Sequence, residues 1–191
     1  MKRLAIAALA ACNLLAGGAE GQESAPPCKD GTFASYAGTS CSQREIVYHF
    51  PENFYSFSGS GVPQIGADRV TVRMDPKGPY TLLIGFADWA LQQSGQRFDI
   101  TLNFSVSGGT KIESWIHGCE ATGTAKVFAS QTVKSNPPVT TTAFCDGNGN
   151  LRERTRDAFY GGGRVDTIVN IHLESGNGTA NLRSLGTHYK P

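Results

Sequence analysis

From Phe98 to Val106 the chain alternates without a break: Phe98, Ile100, Leu102, Phe104 and Val106 are apolar, while Asp99, Thr101, Asn103 and Ser105 are polar. A period of two sends successive side chains to opposite faces of an extended strand, so this segment calls for a sheet with one buried and one wet face. A helix would mix the two sets around its surface. Shorter runs of the same kind fill the chain from Arg44 onward. Arg44–Phe50 sets Ile46, Tyr48 and Phe50 against Val47 and His49 and stops at Pro51, which cannot donate to a ladder. Arg69–Met74 and Tyr80–Phe86 flank Asp75-Pro76-Lys77-Gly78-Pro79, a turn composition that predicts a hairpin. Gly108-Gly109 leads into Lys111–His117, and Gly123–Ser130 follows. Val139–Phe144 and Leu151–Asp157 enclose the Asp-Gly and Asn-Gly pairs of residues 145–150, and Val165–Leu173 and Thr179–Leu185 enclose Ser175-Gly176-Asn177-Gly178. Only Ala87–Ser94 hints at helix, of two turns at most. The expected fold is all-β, an antiparallel β-sandwich of about nine or ten strands with two disulfides, with a jelly roll as the alternative.

The N-terminus has a different composition. Lys2 and Arg3 precede an apolar run from Leu4 to Ala16 and then small residues, the pattern of an export signal. The run is shorter than the ~20 residues of a membrane span, so a soluble mature chain is expected. Gly17 and Ala19 favour cleavage after Ala19, with Gly21 a close second. Leu9-Ala10-Ala11-Cys12 also reads as a lipobox, which would instead anchor the protein through an acylated Cys12. The organisation expected is a signal peptide over 1–19, a Gly-, Ser- and Pro-rich segment over 20–43 that a disulfide ties down outside the core, and the sandwich over 44–191. Loss of residues 1–19 removes two of the 17 basic residues and no acid, leaving about −1 against 16 acidic ones. Such a balance recruits neither nucleic acid nor an anionic membrane.

Four cysteines remain in an oxidising compartment: Cys28, Cys41, Cys119 and Cys145. Two disulfides follow, with three possible connectivities, of which proximity favours Cys28–Cys41 and Cys119–Cys145. A cysteine metal site would need a Cys-x-x-Cys pair, which the chain lacks.

Candidate sites are few. Asp146, Asn148 and Asn150 alternate as in the opening of a calcium loop, but the sixth position holds Leu151 where glycine is needed and the twelfth is Asp157, so a plain hairpin turn is the simpler account. Arg152, Arg154 and Arg156 would project from one face of a strand, either as a grip for the carboxylates or sulfates of an acidic glycan or as a charged edge that blunts pairing. Trp89, Trp115, Tyr55 and Tyr160 are aromatics outside an apolar stripe, either free to stack on sugar rings or partly buried at the sandwich rim. His49, His117, His172 and His188 are dispersed, without metal spacing. No Gly-x-Ser-x-Gly elbow is present. Asn103-Phe104-Ser105 and Asn177-Gly178-Thr179 are glycosylation sequons.

Trp115-Ile116-His117, residues 152–156 and Tyr189-Lys190 are similar to pieces of β-sandwich alginate lyases that line one groove, a likeness that implies Trp115, His117 and Tyr189 as possible glycan contacts beside the arginines, although that family's arginine strand precedes its histidine strand and glutamine stands where this chain has Trp115. The strands Phe98–Val106, Gly123–Val127, Thr167–Leu173 and Gly178–Leu182 together resemble exported bacterial β-sandwich proteins of the PEP-CTERM-associated type, without their sorting tail. That resemblance implies a surface- or matrix-associated sandwich. The function expected is a non-enzymatic component of the cell surface, periplasm or extracellular matrix. The alternative is a carbohydrate-binding module or polysaccharide lyase acting on an acidic glycan. No cofactor is expected. The expected partners are an extracellular polysaccharide or another surface protein.

Overall fold

The computed structural model describes residues 25–74, 81–85, 90–154, 158–159 and 163–190, with the backbone alone for Thr81, Ser114, Trp115, His117, 152–154 and 158–159. Along them run β1 (Gly31–Thr32), a 3-10 turn (Phe33–Tyr36), β2 (Thr39–Gln43), β3 (Ile46–Phe50), β4 (Tyr55–Ser60), a second 3-10 turn (Ala67–Arg69), β5 (Thr71–Met74) and β6 (Thr81–Gly85). There follow β7 (Ala90–Leu91), β8 (Arg97–Ser107), β9 (Lys111–Ala121), β10 (Lys126–Val133), β11 (Val139–Asp146), β12 (Leu151–Arg154), β13 (Ala158–Phe159), β14 (Val165–Glu174) and β15 (Ala180–Lys190). The segment with the strictest alternation is the spine of the molecule. In β8, Phe98, Ile100, Leu102, Phe104 and Val106 are all buried, and Arg97, Asp99, Thr101 and Asn103 lie on the other face.

Two antiparallel sheets share one core. The first has the order β12-β11-β10-β14-β8-β3-β2, with β4 also on β8; the second has β1-β5-β6-β15-β9-β13, with β7 on β15. The sandwich expected from the sequence is the fold observed. The hairpin expected across residues 75–79 is present as β5 paired with β6, its connecting turn lying outside the described residues. Pro51 ends β3 as its missing donor requires. The chain then steps over residues 51–54 and rejoins the same edge of β8 as β4, so β8 carries Val47–His49 at one end and Tyr55–Ser60 at the other. Between them the amide of Asn103 donates to the Phe54 carbonyl at 2.8 Å.

Both disulfides have the connectivity that proximity favoured. Cys28–Cys41 closes the N-terminal segment, and Cys119–Cys145 joins β9 of one sheet to β11 of the other. Two expectations differ from the structure. Residues 31–43, expected outside the core, supply β1 and β2 to the two sheets, and the buried rings of Phe33 and Tyr36 pack with Phe50 and Phe54. A leader with only short strands can do this because each aromatic ring buries a large apolar area. The helix hint over Ala87–Ser94 gives way, within its described part, to β7 paired with Ala180 and Asn181. There the side-chain oxygen of Gln96 accepts from the amides of Gln92 and Gln93 and turns the chain instead.

Among the described residues the buried set is mostly apolar, and some of its few polar members bridge the two sheets. Gln131 of β10 donates through Nε2 to Tyr189 Oη at 2.5 Å and accepts at Oε1 from Thr187 Oγ1 at 2.7 Å, both partners belonging to β15. At one end of the sandwich the loops after β9 and β14 interlock backbone to backbone. A Cβ at Gly178 would collide with the carbonyl of Thr122, so only glycine fits there. No described helix is long and apolar enough to cross a membrane.

Candidate functional site

The wet face of β8 is one strand of a broader surface. In antiparallel pairs the register sets residues side by side, and four long strands of the first sheet align their outward side chains in rows. One row runs Phe144, Phe128, His172, Asp99 and Ser58 across β11, β10, β14, β8 and β4. The next runs Thr142, Ser130, Asn170, Thr101 and Ser56, and a third Thr140, Thr132, Ile168 and Asn103. Hydrogen bonds hold these groups in place. Thr101 Oγ1 donates to Asn170 Oδ1 at 2.9 Å, His172 Nδ1 donates to Asp99 Oδ1 at 2.8 Å, and the hydroxyls of Thr132 and Thr140 lie 3.0 Å apart. Phe128 is 37% exposed, one of two large apolar side chains that stand open among the described residues, and half-buried Phe144 is its cross-strand partner. The result is a preorganised surface of amides and hydroxyls with an aromatic step at one side.

The step over residues 51–54 leaves a depression of about 340 Å³ at one end of this face. Pro51, Asn53, Asn103, Phe104, Ser105, Lys134, Asp166, Thr167 and Ile168 line it. Ser105 Oγ donates to Asp166 Oδ1 at 2.8 Å, and Arg164 Nη2 donates to Ser105 Oγ at 3.4 Å. Next to it His49 sits between two hydroxyls, Nδ1 at 2.9 Å from Ser40 Oγ and Nε2 at 3.2 Å from Ser107 Oγ. Burial, and secondarily the Arg164 guanidinium, hold the His49 imidazole below its ordinary value and so favour the neutral ring.

The residues singled out in the sequence do not gather in one place. Arg152 and Arg154 stand in β12 at register positions opposite Phe144 and Thr142, at the margin of the face just described, while Arg156 lies outside the described residues. Trp115 and His117 belong to the other sheet, opposite Gly186 and Ser184. Tyr189 is a correction: expected as a glycan contact, it is fully buried, its ring against Tyr48 and Phe104 and its hydroxyl bound to Gln131 and 3.4 Å from Thr167 Oγ1. Asp146 is committed to its own turn, with Oδ1 accepting from the amides of Asn148 and Asn150 and Oδ2 from Asn150 Nδ2 at 3.1 Å. That is a hairpin device. No group of three or more His, Cys, Asp or Glu among the described residues could hold a metal ion. Trp89 and Tyr160 lie outside the described residues. Tyr55 is half-buried with its hydroxyl donating to the Ile65 carbonyl, and burial, with the Asp68 carboxylate second, pushes its pKa up to about 12.

Phe128, Asn170, Lys134 and Asp166 went unnoticed in the sequence, and His172 stood there only as one of four dispersed histidines. The polar phase of Asp99, Thr101 and Asn103 was the available signal, but only the pairing of β8 with β14 and β10 shows what stands beside it.

No family model and no curated protein matches the chain. Among solved structures it is similar to TmCBM61, solved in complex with β-1,4-galactotriose, at 10% identity over 71% of this chain and 88% of that one, with a TM-score of 0.38. It is also similar to the enzymatically active domain of bacteriophage CBA120 tailspike protein 4, at 13% identity over 72% of this chain and with a TM-score of 0.25. The matched part spans 19% of that tailspike chain. Likenesses this distant leave the argument to the geometry.

Proposed function

We propose that this protein is an exported, non-enzymatic binding module of the cell surface or extracellular matrix that holds a polysaccharide against the outer face of its eight-stranded sheet. The observation that supports this reading is the row arrangement itself. Sugar rings present hydroxyls at their edges and C–H groups on their faces, and they are matched by fixed amide and hydroxyl groups beside an open aromatic ring. Asn170, Thr101, Ser130 and Thr142 supply the first, and Phe128 with Phe144 the second. Because Thr101 already orients Asn170 and Asp99 already orients His172, little side-chain entropy is left to lose on binding. The two disulfides suit the oxidising location that such a role requires.

Affinity electrophoresis through gels containing soluble polysaccharides tests the reading. Retardation by at least one polysaccharide is expected, and it is abolished by Phe128→Ala combined with Asn170→Ala. A panel of neutral and acidic polysaccharides that retards neither protein would overturn it, as would retardation that the double variant retains.

A further inference from the structure

We propose that the depression at the Pro51 end of the face is an anionic-sugar subsite, in which a uronate carboxylate lies between Lys134 and Arg164 while its ring hydroxyls meet Asp166 and Asn103. The inference rests on the glycan-binding reading and adds the charge of the ligand to it. Its volume of about 340 Å³ falls at the lower end of the ~300–1,000 Å³ of small-ligand pockets and leaves room for a monosaccharide unit. Its walls combine an apolar side, Pro51 and Ile168, with convergent polar groups, as sugar recognition needs.

The charge pattern points to an anion. Among the described residues neither Lys134 nor Arg164 makes an ion pair, whereas Lys190 holds Glu113 at 2.9 Å and Arg183 approaches Glu120 at 3.7 Å elsewhere. Two cations thus border a site that contains one carboxylate, one of whose oxygens accepts from the Ser105 hydroxyl. Lys134 and Asp166 are fixed side by side by the ladder, the Lys134 amide donating to the Asp166 carbonyl at 2.8 Å. A carboxylate reaching Lys134 would gain a charge-assisted hydrogen bond that a neutral sugar cannot offer. Neighbouring hydroxyls on the same ring would find Asp166 as acceptor and the Asn103 amide as donor or acceptor.

Isothermal titration of the mature, oxidised protein with oligogalacturonate and alginate fragments, each beside its carboxyl-reduced neutral counterpart, tests this. The acidic form of at least one glycan should bind more tightly than its reduced form. Lys134→Gln should weaken that acidic ligand about tenfold more than its neutral counterpart. Phe128→Ala should weaken both. Equal affinity for acidic and reduced forms, or a Lys134→Gln variant with unaltered preference, overturns the subsite while the glycan-binding reading stands. Absence of binding by every ligand overturns both.

Discussion

The bridge between the sheets makes a prediction in which one substitution changes sign. Gln131 is 1% exposed and links β10 to β15 through bonds of 2.5 and 2.7 Å to Tyr189 and Thr187. Gln131→Leu conserves volume approximately but strands the buried Thr187 hydroxyl, which costs about 2 kcal/mol, and removes a bond at Tyr189 worth about 1 kcal/mol. Added apolar burial returns part of this, so the net loss is about 2 kcal/mol, a fall in Tm of roughly 5 °C for a chain of this size. Thr187→Val in the wild type is also destabilising, by about 1 kcal/mol, because it removes the hydrogen bond that the Gln131 oxygen accepts from Thr187. In the Gln131→Leu background the same Thr187→Val removes the stranded hydroxyl and should restore about 1 kcal/mol. Urea unfolding of the four proteins, disulfides intact, reads all of these. Additive losses, or a Gln131→Leu variant as stable as the wild type, would refute the assigned bridge.

The remaining predictions concern the staples, the histidines and one glycine. Non-reducing intact mass should show four fewer hydrogens than the reduced mature chain; Cys119→Ser with Cys145→Ser should cost about 3.5 kcal/mol for its separation of 26 residues, and the Cys28–Cys41 pair, with 13, about 3 kcal/mol in the loop-entropy model. His49 and His188 are both held below their ordinary value of 6.5, His49 by burial and then Arg164, His188 by burial and then Lys190 with Glu113 opposing. Their folded forms favour the neutral ring, so this stability is fully present above pH ~6.5 and declines as pH falls toward the lower folded values; Tm should drop on acidification, and His49→Gln should reduce that slope. Gly178→Ala forces a methyl group into the Thr122 carbonyl and should lower Tm by several degrees in a thermal melt, whereas Gly149→Ala, whose added methyl would meet no atom within 4 Å, should cost less.

The strands were legible where they were long and the phase constant, as in β8, β10 and β14. The short N-terminal strands were not, because a two-residue β1 has no periodicity to read and a Gly-, Ser- and Pro-rich composition conceals the isolated core rings of Phe33 and Tyr36. Tyr189 was misplaced for a different reason: its expected exposure came from the likeness of Tyr189-Lys190 to a lyase strand, and the run Thr179–Leu185 stops short of it. β15 in fact continues to Lys190, and its buried set slips phase from Ala180 and Leu182 to Leu185, Thr187 and Tyr189, which takes Tyr189 inside. The disulfides were readable because few connectivities exist and both pairs are close in sequence. The outer face was half readable: the alternation gave its polar phase in β8, but its partners come from strands some thirty and seventy residues away, whose register no local pattern encodes.

The outer face of the eight-stranded sheet is the proposed glycan surface. The most direct measurement is a glycan array probed in parallel with the wild-type protein and with Phe128→Ala/Asn170→Ala, both verified as folded and oxidised. A restricted set of bound glycans, enriched in uronates, is expected for the wild type, and their loss in the variant. An array that the wild type leaves blank, or one that both proteins bind alike, would contradict it.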